Sequence, residues 1–434
     1  MNKTINVFAF SLMLVLATTS SASPVPLEQD LQPRNTSQET AKQEVQTPDP
    51  AYQVMANDET EARLQKERIR AALDEVTPKR KRFDAGSYVL LHESQERLLE
   101  AMLDFHKDPK KIISLLEQNV ILHCQIEEPL KSRFENGVGR PDDYAQVSCF
   151  RVGAELALLR AKRKHGLLNQ SDRPDDMETK LLEERITSAT DVVTPKRRRV
   201  ASGQDSIFAL LDSEQRLLEA LLDFHKQPDK IIELMEQQVS SYASVEKNRE
   251  LRFVAGVGRP DVLAVAKYFR SDSELQLLRA RKKYKIGDVN EATTTSGEVF
   301  DDEFLKKYDI EIDPIYLETA DDGVETRLQK AKIRARLIDV GVKEKMASGG
   351  IVAFAFLHDA QRHLLLSLLD FHKEPKEIIS ILESHVEFAK NFEADRKSRF
   401  DNGVGRPDDY ALASYIRADA ELQLFRARKK FNKE

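Results

Sequence analysis

The sequence predicts an all-α protein of three tandem units of antiparallel long helices, each about 110 residues long. Two repeated strings carry that reading. DFHK, with a proline close behind, begins at Asp104, Asp223 and Asp370, and GVGRPD begins at Gly137, Gly256 and Gly403. The second string follows the first at the same distance in every copy. An insertion between them would have moved helix ends and faces out of register, so one structural unit is repeated. Composition agrees. Charged residues make up 32%, tryptophan is absent, and glycine and proline number 16 each. That balance favours charged, long helices over strands and turns.

Each element follows from period and punctuation. In the first unit, one helix opens with RLQKERIRAAL at Arg63 and ends by Gly86, kinked or broken at Pro78 because proline removes a hydrogen bond and clashes with the preceding turn. A second covers Ser87 to Lys107, with Leu91, Leu98, Met102 and Phe105 on one stripe. The third starts at Pro109, where a missing N–H costs nothing, carries Ile112, Leu116, Val120, Leu130 and Phe134, and ends at Gly137. The fourth opens with Pro141 and Asp142 and carries Ala145, Cys149, Val152, Leu156 and Leu159. That stripe recurs as Ala264, Tyr268, Ser271, Leu275 and Leu278, and as Ala411, Tyr415, Ala418, Leu422 and Phe425. It is the narrow seam of coiled-coil-like packing. Short loops make consecutive helices antiparallel neighbours. Each unit is then a four-helix bundle or a pair of helical hairpins, and three units make a beaded rod.

Residues 1–22 read as a secretory signal, with Lys3 before an apolar run from Val7 to Ala17 and small residues at Ser20 and Ala22. Cleavage after Ala22 and export to a periplasm, cell surface or medium are expected. Residues 23–57, rich in Pro, Gln, Thr and Ser, read as a disordered tether. The helical units are 58–165, 175–284 and 321–434, and residues 285–320 form an acidic linker with one short helix around Phe304. No other stretch is apolar enough to cross a membrane, so no transmembrane segment is expected after signal removal. The two cysteines, Cys124 and Cys149, make no disulfide framework. A net charge of −6 argues against a nucleic-acid partner.

The halves of a unit echo each other: Arg82-Phe83, Gly86 and Arg97 parallel Arg133-Phe134, Gly137 and Arg151. An Arg-Phe pair, a glycine, a short turn with Asp142, and a helix reading Arg151, Ala154, Glu155, Leu156 together resemble the hairpin turns of TolC-type outer-membrane efflux proteins. They resemble more closely the uncharacterised exported helical-repeat proteins of bacteria. The resemblance covers the three units and implies an all-α fold, with a role as an efflux or envelope-assembly accessory protein as one functional alternative.

His106, His225 and His372, each in the last turn of a helix, complement the negative end of its dipole; no paired-ligand spacing accompanies them, so no metal or cofactor is expected. In GVGRPD, Gly137 supplies a left-handed cap and Gly139 lets the backbone turn, whereas no turn requires an arginine. Arg140, Arg259 and Arg406 are therefore candidates to bind an anion or a partner. The run Lys79, Arg80, Lys81, Arg82 joins them, because antiparallel order places it at the same end of a unit as Arg140 and opposite His106. A second run spans Lys196 to Arg199; the third copy reads Lys343, Glu344, Lys345 instead. The pairs Arg151 with Glu155, Arg270 with Glu274 and Arg417 with Glu421 read as helix staples. No nucleophile with a base, paired carboxylates or metal set recurs with the repeats, so an enzyme is not expected. The expected function is a non-enzymatic exported scaffold that contacts a protein partner or an envelope polymer. The alternative is a module that binds anionic polymers through basic helix ends.

Overall fold

Proline punctuation sets the helix starts. The structure is a computed structural model that describes residues 50–81, 88–168, 174–201, 207–286, 300, 302–348 and 354–431. Among the described residues there are thirteen α-helices and no strand. In the first copy these are α1 (Thr60–Lys81), α2 (Tyr88–Phe105), α3 (Pro109–Glu135) and α4 (Pro141–Lys164). The second has α5 (Pro174–Ala201), α6 (Ile207–Phe224), α7 (Pro228–Val254) and α8 (Pro260–Tyr284). A short α9 (Asp302–Lys307) precedes the third copy: α10 (Val324–Ser348), α11 (Phe354–Phe371), α12 (Pro375–Asp401) and α13 (Pro407–Phe431). Pro109 and Pro141 both stand in a first turn, where the absent N–H leaves no bond unmade. Helix α1 runs through Pro78 to Lys81, so of the expected kink or break the break does not occur.

The all-α class is as expected; the beaded rod is not. The principal neighbours of α4 are α3 and α5, those of α8 are α7 and α10, and those of α13 are α12 and α1. Hairpins, rather than closed four-helix bundles, are thus the blocks. The order of contacts runs along the chain and returns from α13 to α1. One core includes Ile69, Leu98 and Phe150 of the first copy with Leu382, Val386, Ile416 and Leu424 of the third. Side chains of 1.5 to 3 kcal/mol burial value each are shared across that junction, which separate beads would leave wet. The seam on the fourth helix has the same explanation. Val152, Leu156 and Leu159 pack on Leu181 and Leu182 of α5, and Leu275 and Leu278 on Leu328 of α10, so the stripe serves the next copy.

Ion pairs set the direction of each junction. Glu61, opening α1, meets Arg426 at 2.9 Å and Lys429 at 3.1 Å near the end of α13. Glu325, opening α10, meets Arg279 and Lys282 near the end of α8. Arg163, closing α4, meets Asp175 and Glu178 of α5. Two of the three staples widen into junction clamps: Arg151 holds Glu155 at 2.8 Å, Glu127 of α3 at 2.5 Å, and Glu184 of α5. Arg417 likewise joins Glu421, Glu393 of α12 and Glu67 of α1. The second helices face one another. Glu93 of α2 is pushed above the ordinary glutamate range by burial, then by its counterparts Asp359 of α11 and Asp212 of α6, against Arg97 and Arg216.

Two boundaries move. The stretch read as a tether includes a 3-10 turn, Pro50–Tyr52, that buries Tyr52 to 3% exposure and brings its hydroxyl 2.8 Å from His106 Nε2. Before the third copy, Tyr316 repeats this contact with His372 at 2.9 Å. His106 and His372 therefore latch a preceding turn. The acidic linker is likewise partly built into the core. Helix α9 forms around Phe304 as expected, but Phe300, Phe304, Leu305, Tyr308 and Ile310 pack on Ala264, Ile338 and Val342. Ile310 fills the space left by Gly341 of α10, where a Cβ would stand 2.5 Å from its side chain. The signal at 1–22 and the tether to residue 49 lie outside the described residues.

Candidate functional site

The GVGRPD turns end the third helices alike. Gly137 adopts φ +73°, Gly256 +72° and Gly403 +71°, and Gly139 N–H donates to Arg133 O at 2.9 Å. A Cβ on Gly139 would stand 2.8 Å from Phe134 N, so this second glycine is required by close approach rather than by φ. Antiparallel junctions put all three turns at one end of the helices. Arg199 at the end of α5 grips Asp142 at the start of α4, and the charge of Lys79 near the end of α1 reaches Asp409 at the start of α13.

That end is less free in charge than the sequence suggests. Arg259 grips Asp261 through Nε at 3.1 Å and Nη2 at 2.6 Å, and Arg406 holds Asp408 likewise. These aspartates are buried at helix N-termini, and a fork bound to its own carboxylate has less to offer a ligand. At the turn of the first copy Arg199 takes Asp142, and Arg140 stays exposed. Lys79 pairs with buried Glu75 at 2.6 Å, a carboxylate that Arg97 also holds. In the second run Lys196 is buried on Gln146 and Ser213, and Arg197 meets Glu214. Arg80 is exposed. The side chain of Lys81, and Arg82 entirely, lie outside the described residues. The basic run of the second copy therefore sits beside the turn of the first, rather than beside the turn of its own copy. The three turns share one further property: Val138, Val257 and Val404 are 70%, 69% and 72% exposed.

A second site was not singled out from sequence. His92 and Glu96, one turn apart on α2, face His123 of α3, and one ligand atom from each lies within 4.8 Å of the others. His123 is 1% exposed, with neither ring nitrogen hydrogen-bonded, and His92 Nδ1 is also buried without a partner. Glu96 Oε1 lies 3.8 Å from His123 Nε2, and its half-exposed side chain opens the group to solvent. His92 is fixed by stacking on Phe150, ring centroids 3.5 Å apart, with the Arg216 guanidinium over the same ring at 4.8 Å. Burial, then the charges of His123 and Arg216, hold His92 well below the ordinary histidine range, so its ring is neutral near pH 7.

The available signal was the i, i+4 pair His92 and Glu96. That pair carries no repeat signal, because the set does not recur: the second copy has Leu211, Gln215 and Tyr242, the third His358, Arg362 and Ala389. His106, His225 and His372 belong to other helix ends and are not brought to this group. Cys124 is exposed and Cys149 buried, and both are free thiols. No described helix is long and apolar enough to cross a membrane. No protein-family model matches the chain, and no curated protein matches it.

Proposed function

We propose that the protein is a non-enzymatic, exported scaffold of the cell envelope that holds a protein partner on its three GVGRPD turns. The observation that carries this reading is the exposure of Val138, Val257 and Val404 at one end of the helices. The glycines and aspartates of the turns, with Arg259 and Arg406, are accounted for by backbone geometry and ion pairing. A water-exposed valine repeated in all three copies is not, and apolar side chains displayed beside a basic fork suit a partner surface that is apolar with an acidic rim. Export rests on the signal-like residues 1–22. The anionic-polymer alternative is weakened because Arg259, Arg406 and most of the described cations in the two runs are already paired.

The test replaces all three valines with serine in the full-length protein. Cross-linking in intact cells should then lose the adducts seen with the parent, while circular dichroism and melting temperature stay unchanged. Unchanged adducts in the triple variant would defeat the reading. Adducts lost only on replacing Arg140 and Arg80, and restored by lowering salt, would favour the polyanion module instead.

A further inference from the structure

We infer that His92, Glu96 and His123 form a binding site for one divalent transition-metal ion of the zinc class, held between α2 and α3 of the first copy. Three observations converge. The donor set of two imidazoles and one carboxylate matches an open zinc site, which keeps a fourth position for water. Imidazole nitrogen with a single carboxylate selects borderline ions over magnesium or calcium, which need more oxygen ligands. The burial is otherwise hard to explain. An unpaired buried polar group costs about 1 to 3 kcal/mol, and His123 has two such nitrogens while His92 has a third. A bound ion satisfies the nitrogens that face it.

The geometry needs only a small contraction. Ligand atoms around zinc stand about 2.0 to 2.2 Å from the metal and therefore about 3.4 Å apart. The atoms here already lie within 4.8 Å of one another, and His123 and Glu96 are 3.8 Å apart. Rotation of the half-exposed Glu96 side chain supplies much of the difference. The histidines cannot wander: His92 is clamped on Phe150, and His123 is enclosed between helices. Helices α2 and α3 make one of the looser neighbour contacts of the fold, so an ion joining them adds a bond where packing is thin. The other copies solve this position without metal. The second places Tyr242 there, whose hydroxyl receives a hydrogen bond from Gln238 at 3.0 Å, and the third has Ala389.

The experiment uses full-length protein stripped with a chelator and titrated with zinc chloride by calorimetry, with cobalt chloride in parallel for its visible absorption bands. One ion should bind per chain and raise the melting temperature. Glu96→Gln, on the exposed side, should fold normally and weaken binding by at least about tenfold. His123→Leu should abolish binding and match or exceed the metal-free parent in stability, since it removes two unpaired nitrogens. His225→Asn, elsewhere in the fold, should bind zinc like the parent. Absence of stoichiometric binding in the parent overturns the inference. So does zinc affinity unchanged in Glu96→Gln and His123→Leu, which would place the ion elsewhere. If His123→Leu fails to fold, Glu96→Gln alone decides.

Discussion

Arg68 of α1 and Asp419 of α13 meet at 2.9 Å across the junction that returns the order of contacts to its start. The same guanidinium donates to the Tyr415 hydroxyl and to Glu100, each at 2.9 Å. Burial pushes Asp419 above the ordinary aspartate range, and the Arg68 charge opposes it. Burial also raises the Tyr415 hydroxyl to about 12. Lys332 with Asp272 is the equivalent pair at the junction of the second and third copies, at 2.6 Å. The pairs stand at corresponding places and help hold copy to copy.

Replacing Arg68 with methionine should therefore destabilise the protein by about 1 to 3 kcal/mol, because the partly buried Asp419 carboxylate loses its nearest cation. Urea denaturation measures the loss. Adding Asp419→Leu should recover much of it, and additivity of the two substitutions would show that the residues do not act on each other.

The two glycines of a turn should respond differently. Gly256→Ala places an L residue at φ +72° with open space around it and should cost about 1 to 2 kcal/mol. Gly258→Ala brings a Cβ to 2.6 Å from Phe253 N, so backbone must move and the cost should be larger. Melting temperatures of the two variants decide the order.

Gly341→Ala tests the docking of Ile310. In an open helix interior the change stabilises by up to about 1 kcal/mol. Here the new Cβ meets Ile310 at 2.5 Å, so the segment carrying Phe304 and Ile310 should be displaced. Amide exchange should rise at 302–310. A variant with unchanged exchange and a higher melting temperature would refute the contact.

Acidification has a defined sign. His363 is lowered to about 3, first by burial and then by the Arg336 charge, and His385 to about 4, by burial and then His358. An unfolded histidine takes up its proton near 6.5, so the unfolded state binds more protons as pH falls through that value. The stability from these neutral rings is full above about 6.5 and declines toward about 4 for His385 and 3 for His363. His363→Gln and His385→Gln should each flatten stability against pH in that window, by up to about 1.36 kcal/mol per pH unit. Unchanged slopes would show that the rings titrate normally.

Helices were the legible part of the sequence, because prolines at first turns and the repeated Gly137 and Gly139 mark their ends directly. Their partners were less so. Glu61, Glu178 and Glu325 are chemically alike at the three junctions, and nothing in Arg426 says that its carboxylate lies in the first copy rather than beyond the third. Tyr52 and Tyr316 are single aromatic anchors in polar stretches, too sparse for a periodic signal. The basic runs misled because a cation's partner lies outside its own segment, as with Arg199 and Asp142. His92 and His123 were hidden by the repeat itself, which directs attention to what the copies share.

The return of α13 to α1 also settles a question of number. An open helical array can grow or shrink by a copy and needs dedicated end pieces to cover its outer faces. Here, among the described residues, each fourth helix packs on the first helix of another copy, so removing one copy would expose two apolar seams at once, and inserting a fourth would require new angles at the joints. Three GVGRPD turns are thereby displayed by a single polypeptide. A homotrimer with the same display would fall apart on dilution, whereas this valency is covalent and independent of concentration.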